Sequence, residues 1–192
     1  MRRCRVVIRS AFALPLLAVL LAACGGSSSS AGTPPGPGAA LKCTSSGMNA
    51  FDTYKLAGFV AVNEKIFTGV SAEVAANGTT NLGASFTKVG SGNPASTQDG
   101  LAAFKGNLAA FLVYAYGGPA SIVYTDGVTY QGPQDMVESH RGLGITSSQF
   151  DYFVASVIVP ALTDSGVSAA DVSSCFAPVV TGAAFKASIV GQ

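Results

Sequence analysis

Residues 136–160 read MVESHRGLGITSSQFDYFVASVIVP, and the fold turns on how this stretch is taken. Thr146-Ser147-Ser148-Gln149 has the form of a capping box, in which the N-cap hydroxyl and the N3 amide satisfy backbone groups that a helix start leaves free. Phe150, Phe153, Val154, Val157 and Ile158 then recur at helical spacing, which predicts a helix running up to Pro160. Upstream, Leu101, Phe104, Leu108, Phe111, Leu112 and Ala115 form a second stripe, and Val62, Ile66, Phe67, Val70 and Val74 an earlier one. Downstream, Ser168 and Asp171 open a fourth helix carrying Val172, Cys175, Phe176, Val179 and Val180, with Pro178 as a kink. Asn77–Gln98, rich in Gly, Asn, Ser and Thr, reads as a loop. Only Ser121–Tyr130 breaks the helical pattern. Ile122-Val123-Tyr124, Thr125-Asp126-Gly127 and Val128-Thr129-Tyr130 form a short β-hairpin, an appendage after Gly117-Gly118-Pro119. Without any βαβ alternation, the expected class is all-α with a small inserted β-hairpin.

Composition narrows the chemistry. The 192 residues are 48% hydrophobic and 11% charged, which suits one globular domain plus an extra segment. The formal charge is +1 and no basic run follows the first nine residues, so nucleic acid is not an expected partner. A single histidine excludes the HExxH metalloprotease pattern and every site built on two imidazoles. CxxC, Walker A, GxGxxG and GxSxG motifs are absent from the sequence. Ser139-His140 is a poor hydrolase pair, because neighbouring helical residues do not face each other.

The first residues read as an address. Arg2, Arg3, Arg5 and Arg9 precede the apolar run Ala11–Ala22, the layout of a bacterial export signal and too short to span a bilayer. Leu21-Ala22-Ala23-Cys24 resembles the bacterial lipobox, which implies a signal peptide at 1–23, acylation of Cys24 and a membrane partner through that lipid. The alternative is an ordinary secretory signal with an accidental cysteine. Gly25–Gly38 then reads as a Ser/Gly/Pro tether within a segment at 24–42, ahead of a domain at 43–192. Loss of residues 1–23 leaves seven basic and ten acidic side chains, a net charge of −3. The expected location is the cell envelope, lipid-anchored and extracytoplasmic, with Gly25 rather than aspartate after Cys24 pointing to the outer membrane. Export favours a disulfide between Cys43 and Cys175; two separate buried thiols are the alternative.

Phe111-Leu112, Gly117-Gly118-Pro119, Tyr130-x-Gly132, Met136-x-x-x-His140-x-Gly142-Leu143-Gly144-Ile145-Thr146 and Phe150 together resemble the truncated (2-on-2) haemoglobins, closest to their group I. The resemblance is strong from about Leu101 to Val190 and weak before it. It implies a 2-on-2 helical sandwich holding haem b, iron protoporphyrin IX, with His140 as the proximal ligand of the iron. Haem iron needs one strong axial nitrogen, and this chain has one imidazole to offer. The resemblance further implies that Phe111, Leu112, Tyr130, Met136, Ile145, Phe150 and Phe153 line the haem plane. Phe104 and Leu108 fall at the two distal positions of the E helix, and Phe86 at the phenylalanine that wedges haem in the CD turn.

Departures from the family bear on mechanism. Leu108 stands where group I members often carry a ligand-binding glutamine. Ala57-Gly58 resembles a reduced form of the family's Gly-Gly, and counting onward puts Val70 or Ser71 at the position of the B-helix tyrosine. Lys105 and Asn107 read as solvated. The function expected is therefore binding of dioxygen or other diatomic gases at a haem iron on a mostly apolar distal face. One alternative is a nitric oxide dioxygenase or peroxidase-like enzyme, which needs distal polar groups and an electron donor. The other is a non-haem interaction module on a globin scaffold.

Overall fold

The computed structural model of the chain describes residues 33–76, 82, 85–86 and 100–192. The export signal, Cys24 and residues 25–32 of the tether lie outside the described residues, as does most of the loop expected at Asn77–Gln98. Within that loop Leu82, Ser85 and Phe86 have helical backbone, contrary to the expectation from composition. Leu82 and Ser85 are buried there, and tertiary packing outweighs weak local propensity.

The described elements are α1 (Ala50–Ala76), α2 (Gly100–Ala115), β1 (Ser121–Val123), β2 (Thr129–Gln131), α3 (Met136–His140), α4 (Ser147–Phe153), α5 (Val159–Asp164), α6 (Ala169–Asp171), α7 (Ala177–Val180) and α8 (Ala183–Ala187). The architecture is thus mostly helical with one two-stranded antiparallel sheet. Among the described residues no helix is long and apolar enough to cross a membrane. Asn49 accepts the Asp52 N–H at 2.7 Å at the start of α1, and a non-helical Lys55 (φ 55°, ψ 177°) then divides that helix into a short leading turn and a long remainder.

The capping box is present as expected: Thr146 Oγ1 accepts the Gln149 N–H at 3.2 Å and Gln149 Oε1 accepts the Thr146 N–H at 2.9 Å. The helix does not stop at Pro160. A π-helical stretch, Val154–Ile158, carries α4 into α5, which reaches Asp164. Val159 donates its N–H five residues back to Val154, a wider turn than the α-helix allows. The widened turn accommodates a ring that would clash with the carbonyl four residues earlier and that has no N–H to give. Pro178 is treated the same way: the π-helical stretch Val172–Phe176 ends two residues before it and joins α6 to α7.

The hairpin pairs Ser121 with Gln131, Ile122 with Tyr130 and Val123 with Thr129. It is no appendage. Ile122, Tyr124 and Tyr130 are buried on its inner side. Tyr124 Oη donates to Glu64 at 2.8 Å and accepts from Asn63 Nδ2 at 3.0 Å, which fastens the hairpin to α1. Tyr130 lies so close to α2 that a Cβ on Gly106 would sit 2.2 Å from its ring. Lys105 stays partly exposed but is not free, since its Nζ is 2.6 Å from Glu64 Oε2 and lies over the Phe67 ring.

Part of the expected tether is packed against the domain. Gly38 N–H donates to Ala115 O at 2.7 Å and Tyr114 Oη to Pro34 O at 2.7 Å. A side chain at Gly36 would collide with the Tyr114 carbonyl oxygen, 1.8 Å from an ideal Cβ. The strap leads to Cys43, which forms a disulfide with Cys175 across 132 residues of sequence. In the chain-entropy picture a loop of that size is worth about 4–5 kcal/mol. Beside it, Asp171 Oδ1 accepts the Ser45 N–H at 2.9 Å, while Oδ2 accepts Ser45 Oγ at 2.5 Å and Tyr54 Oη at 2.6 Å. Burial pushes the Asp171 carboxyl up, but these donors outweigh it and hold the pKa down to about 2.

Gly106→Ala is expected to drive a methyl into the Tyr130 ring and loosen the hairpin, costing roughly 1–3 kcal/mol as overpacking does. Thermal or urea unfolding monitored by circular dichroism checks this; an unchanged midpoint would contradict the close contact.

Candidate functional site

One face of α2 sets the site. Phe104, Asn107, Leu108, Phe111, Leu112 and Ala115 occupy positions i, i+3, i+4, i+7, i+8 and i+11 of one helix face and line a cavity of about 250 Å³. Packed interiors hold few voids larger than a water, and even an engineered cavity of ~150 Å³ takes a small aromatic ligand. The lining is predominantly apolar, the character of a small-molecule or cofactor site.

The other walls come from elements far apart in sequence. Leu82, Ser85 and Phe86 contribute from the segment before α2, and the Phe86 ring packs on Phe153 at 5.9 Å. Met136, Ser139 and His140 come from α3, Leu143 and Ile145 from the turn after it, and Gln149, Phe150 and Phe153 from α4. The C-terminal segment supplies Val179, Val180, Phe185 and Ile189. Phe185 stacks on Phe111 with centroids 6.0 Å apart and meets Phe150 edge-on at 6.3 Å.

His140 is oriented by its own helix. Asp135 caps α3 by accepting the Glu138 N–H at 3.1 Å, and Gly142 and Gly144, both at positive φ, turn the chain away after Arg141. Arg141 pairs with Glu138, Nε to Oε2 at 3.0 Å. Nδ1 of His140 is 2.8 Å from the carbonyl oxygen of Met136, one turn earlier. A carbonyl only accepts, so Nδ1 carries the proton and Nε2 keeps its lone pair. Burial lowers the imidazole pKa from its ordinary 6.5, and the Met136 hydrogen bond opposes that shift without reversing it. At neutral pH the cavity therefore holds a neutral imidazole with one nitrogen already oriented, the form in which histidine binds metals.

The structure brings Phe86, Phe104, Leu108, Phe111, Leu112, Met136, Ile145, Phe150 and Phe153 to this cavity together with His140. Tyr130 is a correction: it is no part of the cavity lining and serves the hairpin, its Oη donating to Asp126 at 2.6 Å and its ring packed against Gly106. The α1 register is a second correction. Ile66 reaches the lining, whereas Val70 and Ser71 do not. The count from Gly58 rested on the Ala57-Gly58 resemblance, whereas the break in this helix is at Lys55. A tyrosine does line the cavity, Tyr116 just past α2, but its Oη donates to Phe176 O at 3.1 Å and burial raises its pKa further.

Sequence reading did not assign Ile66, Leu82, Leu143, Val179, Val180, Phe185 and Ile189 to the site. The apolar spacing of Ile66, Val179 and Val180 was visible, but it signals burial and does not tell a packed core from a lined cavity. Cys43, Asp171 and Cys175 lie close enough together to hold a metal ion, but both sulfurs are committed to the disulfide. Comparison with family models, curated proteins and solved structures finds no match to this chain.

Because folding lowers the pKa of His140, the stability it contributes is complete above the unfolded value of 6.5 and is lost as pH falls through the lower folded value. His140→Gln is expected to flatten that part of the pH–stability profile. Urea midpoints measured from pH 7.5 to 5 check this; the same slope in both proteins would contradict a buried neutral imidazole.

Proposed function

We propose that the cavity binds haem b, with His140 as the axial ligand of the iron, in a truncated-globin-like arrangement of the helices. What carries this reading is the convergence at one cavity of the chain's single imidazole, with Nδ1 engaged by Met136, and nine of the ten residues that the resemblance assigns to the haem surroundings. The donor set fits the group. An imidazole whose other nitrogen bonds a backbone carbonyl is the usual form of a metal-ligating histidine, and an apolar enclosure protects a porphyrin from water. When bound, the haem supplies a ferrous iron able to take a diatomic gas.

The chain's own groups determine how such a ligand is received. Ile66, Phe104 and Leu108 present hydrocarbon to the cavity, and the one tyrosine in its lining has its hydroxyl hydrogen committed to Phe176 O. This wall is mostly hydrocarbon, and Asn107 is the one polar side chain that α2 adds to the lining. Reversible gas binding fits that wall better than nitric oxide dioxygenation or peroxidase turnover, both of which need polar help during bond cleavage. The cellular setting proposed is the extracytoplasmic face of the envelope, with the lipid anchor on Cys24.

The purified protein supplied with haem is expected to show a Soret band whose position and intensity change in His140→Ala. No band, or an identical band in the variant, would overturn the assignment. Hydrogen bonds to charged or partly charged groups are typically worth about 1.5–3 kcal/mol, roughly a 10- to 150-fold effect on a rate. Dioxygen release from the ferrous protein is therefore expected to speed up by that order relative to globins with a distal Tyr–Gln pair. Leu108→Gln is expected to slow it, and stopped-flow dissociation reads both effects.

A further inference from the structure

Resting on the haem reading above, we propose that Tyr54 discharges oxidising equivalents that arise in the cavity, becoming a tyrosyl radical while Asp171 takes its proton. The sequence contains no tryptophan, which leaves tyrosines as the most readily oxidised aromatic side chains. A run of rings leads outward from the cavity. Tyr116 lines it, the Phe176 ring lies 4.9 Å from Tyr116, and the Tyr54 ring lies 5.7 Å from Phe176. Phe59 packs on the same run, 5.8 Å from Tyr116 and 6.0 Å from Phe176.

The two tyrosines on this path differ in where a proton can go. A phenol that loses an electron becomes a strong acid, so the charge stays where a base stands at hydrogen-bond distance. Tyr116 Oη donates to a backbone carbonyl, which does not accept a proton outright. Tyr54 Oη donates to Oδ2 of Asp171 at 2.6 Å, within the reach of direct proton transfer. Two hydrogen bonds from Ser45 fix that carboxylate in place. Tyr116 is thus a relay and Tyr54 the end point. Tyr124, Tyr130 and Tyr152 also donate to carboxylates, of Glu64, Asp126 and Glu73, but none of them lines the cavity or packs on the Tyr116–Phe176 run.

The oxidant is hydrogen peroxide, in a single stoichiometric encounter and not the repeated peroxidase turnover that the apolar wall does not assist. Its reduction to two waters breaks the O–O bond and takes up two electrons and two protons. One electron comes from ferrous iron, which becomes ferric, and the other from Tyr54 by way of Phe176 and Tyr116. The two protons come from solvent, while the Tyr54 O–H bond breaks and its proton moves to Asp171. The products are two waters, a neutral phenoxyl radical at Tyr54 and a protonated Asp171.

The test mixes the haem-loaded, ferrous protein with hydrogen peroxide and freezes it for electron paramagnetic resonance, with ring-deuterated tyrosine to identify the radical. Spin-trap adducts are mapped by peptide mass spectrometry in parallel, so the unaltered protein is informative by itself. The expected result is a tyrosyl signal with its adduct on Tyr54, lost in Tyr54→Phe and diminished in Tyr116→Phe. It also diminishes in Asp171→Asn, whose amide oxygen still accepts the hydrogen bond but is a far weaker base. An adduct on another tyrosine, an unchanged signal in Tyr54→Phe, or no tyrosyl signal beside a normal Soret band overturns this proposal and leaves the haem reading standing. Failure to form a Soret band overturns both.

Discussion

The clasp between the strap-end segment and the C-terminal helices is the constraint on which the remainder of the structure depends. Asp171 is fully buried, and it survives as an anion because Ser45 and Tyr54 direct three hydrogen bonds at it. The Cys43–Cys175 disulfide lies next to it and makes the junction covalent. Through this junction the chain from Val172 onward is held against α1, and that chain carries Val179, Val180, Phe185 and Ile189 into the cavity wall. A buried carboxylate outside the cavity lining thus helps keep one side of the cavity closed.

Helix α2 shows why the fold contains a cavity and not simply a core. Ala109, Ala110 and Val113 on one side have no exposure, and the helix contacts α1 and the hairpin. Phe104, Leu108 and Phe111 on the other side are only partly buried, and the space they face is the cavity. A helix apolar on both sides demands burial on both. Neighbouring side chains fill one side, and the cavity adjoins the other.

Much of the site was legible because its residues obey local rules. The capping box sets where α4 begins, and the four-residue interval from Met136 to His140 brings both to one face and lets a backbone carbonyl orient the imidazole. The errors arose where local rules compete with distant packing. Tyr130 was placed by a resemblance of local sequence alone, yet the bare backbone of Gly106 lets its ring lie on α2. Ile66, and not Val70 or Ser71, reaches the cavity, and the chain breaks at Lys55, a lysine with positive φ that propensity would never have marked. The two prolines were read as an end and a kink, but each is preceded by a π-helical stretch that lets the helix continue.

Sequence by itself determined the helical class, the hairpin, the pair of cysteines free to join, and that the chain has a single imidazole. Each of these depends on spacing within a few turns or on a count, and neither changes with how the chain is packed. Only the tertiary structure decided that the strap from Pro34 is part of the domain, that the hairpin is docked, and which apolar side chains surround empty space. Burial makes the same demand of residues that touch one another and residues that face a cavity, so periodicity cannot separate them. That difference exists only once elements remote in sequence have closed around α2.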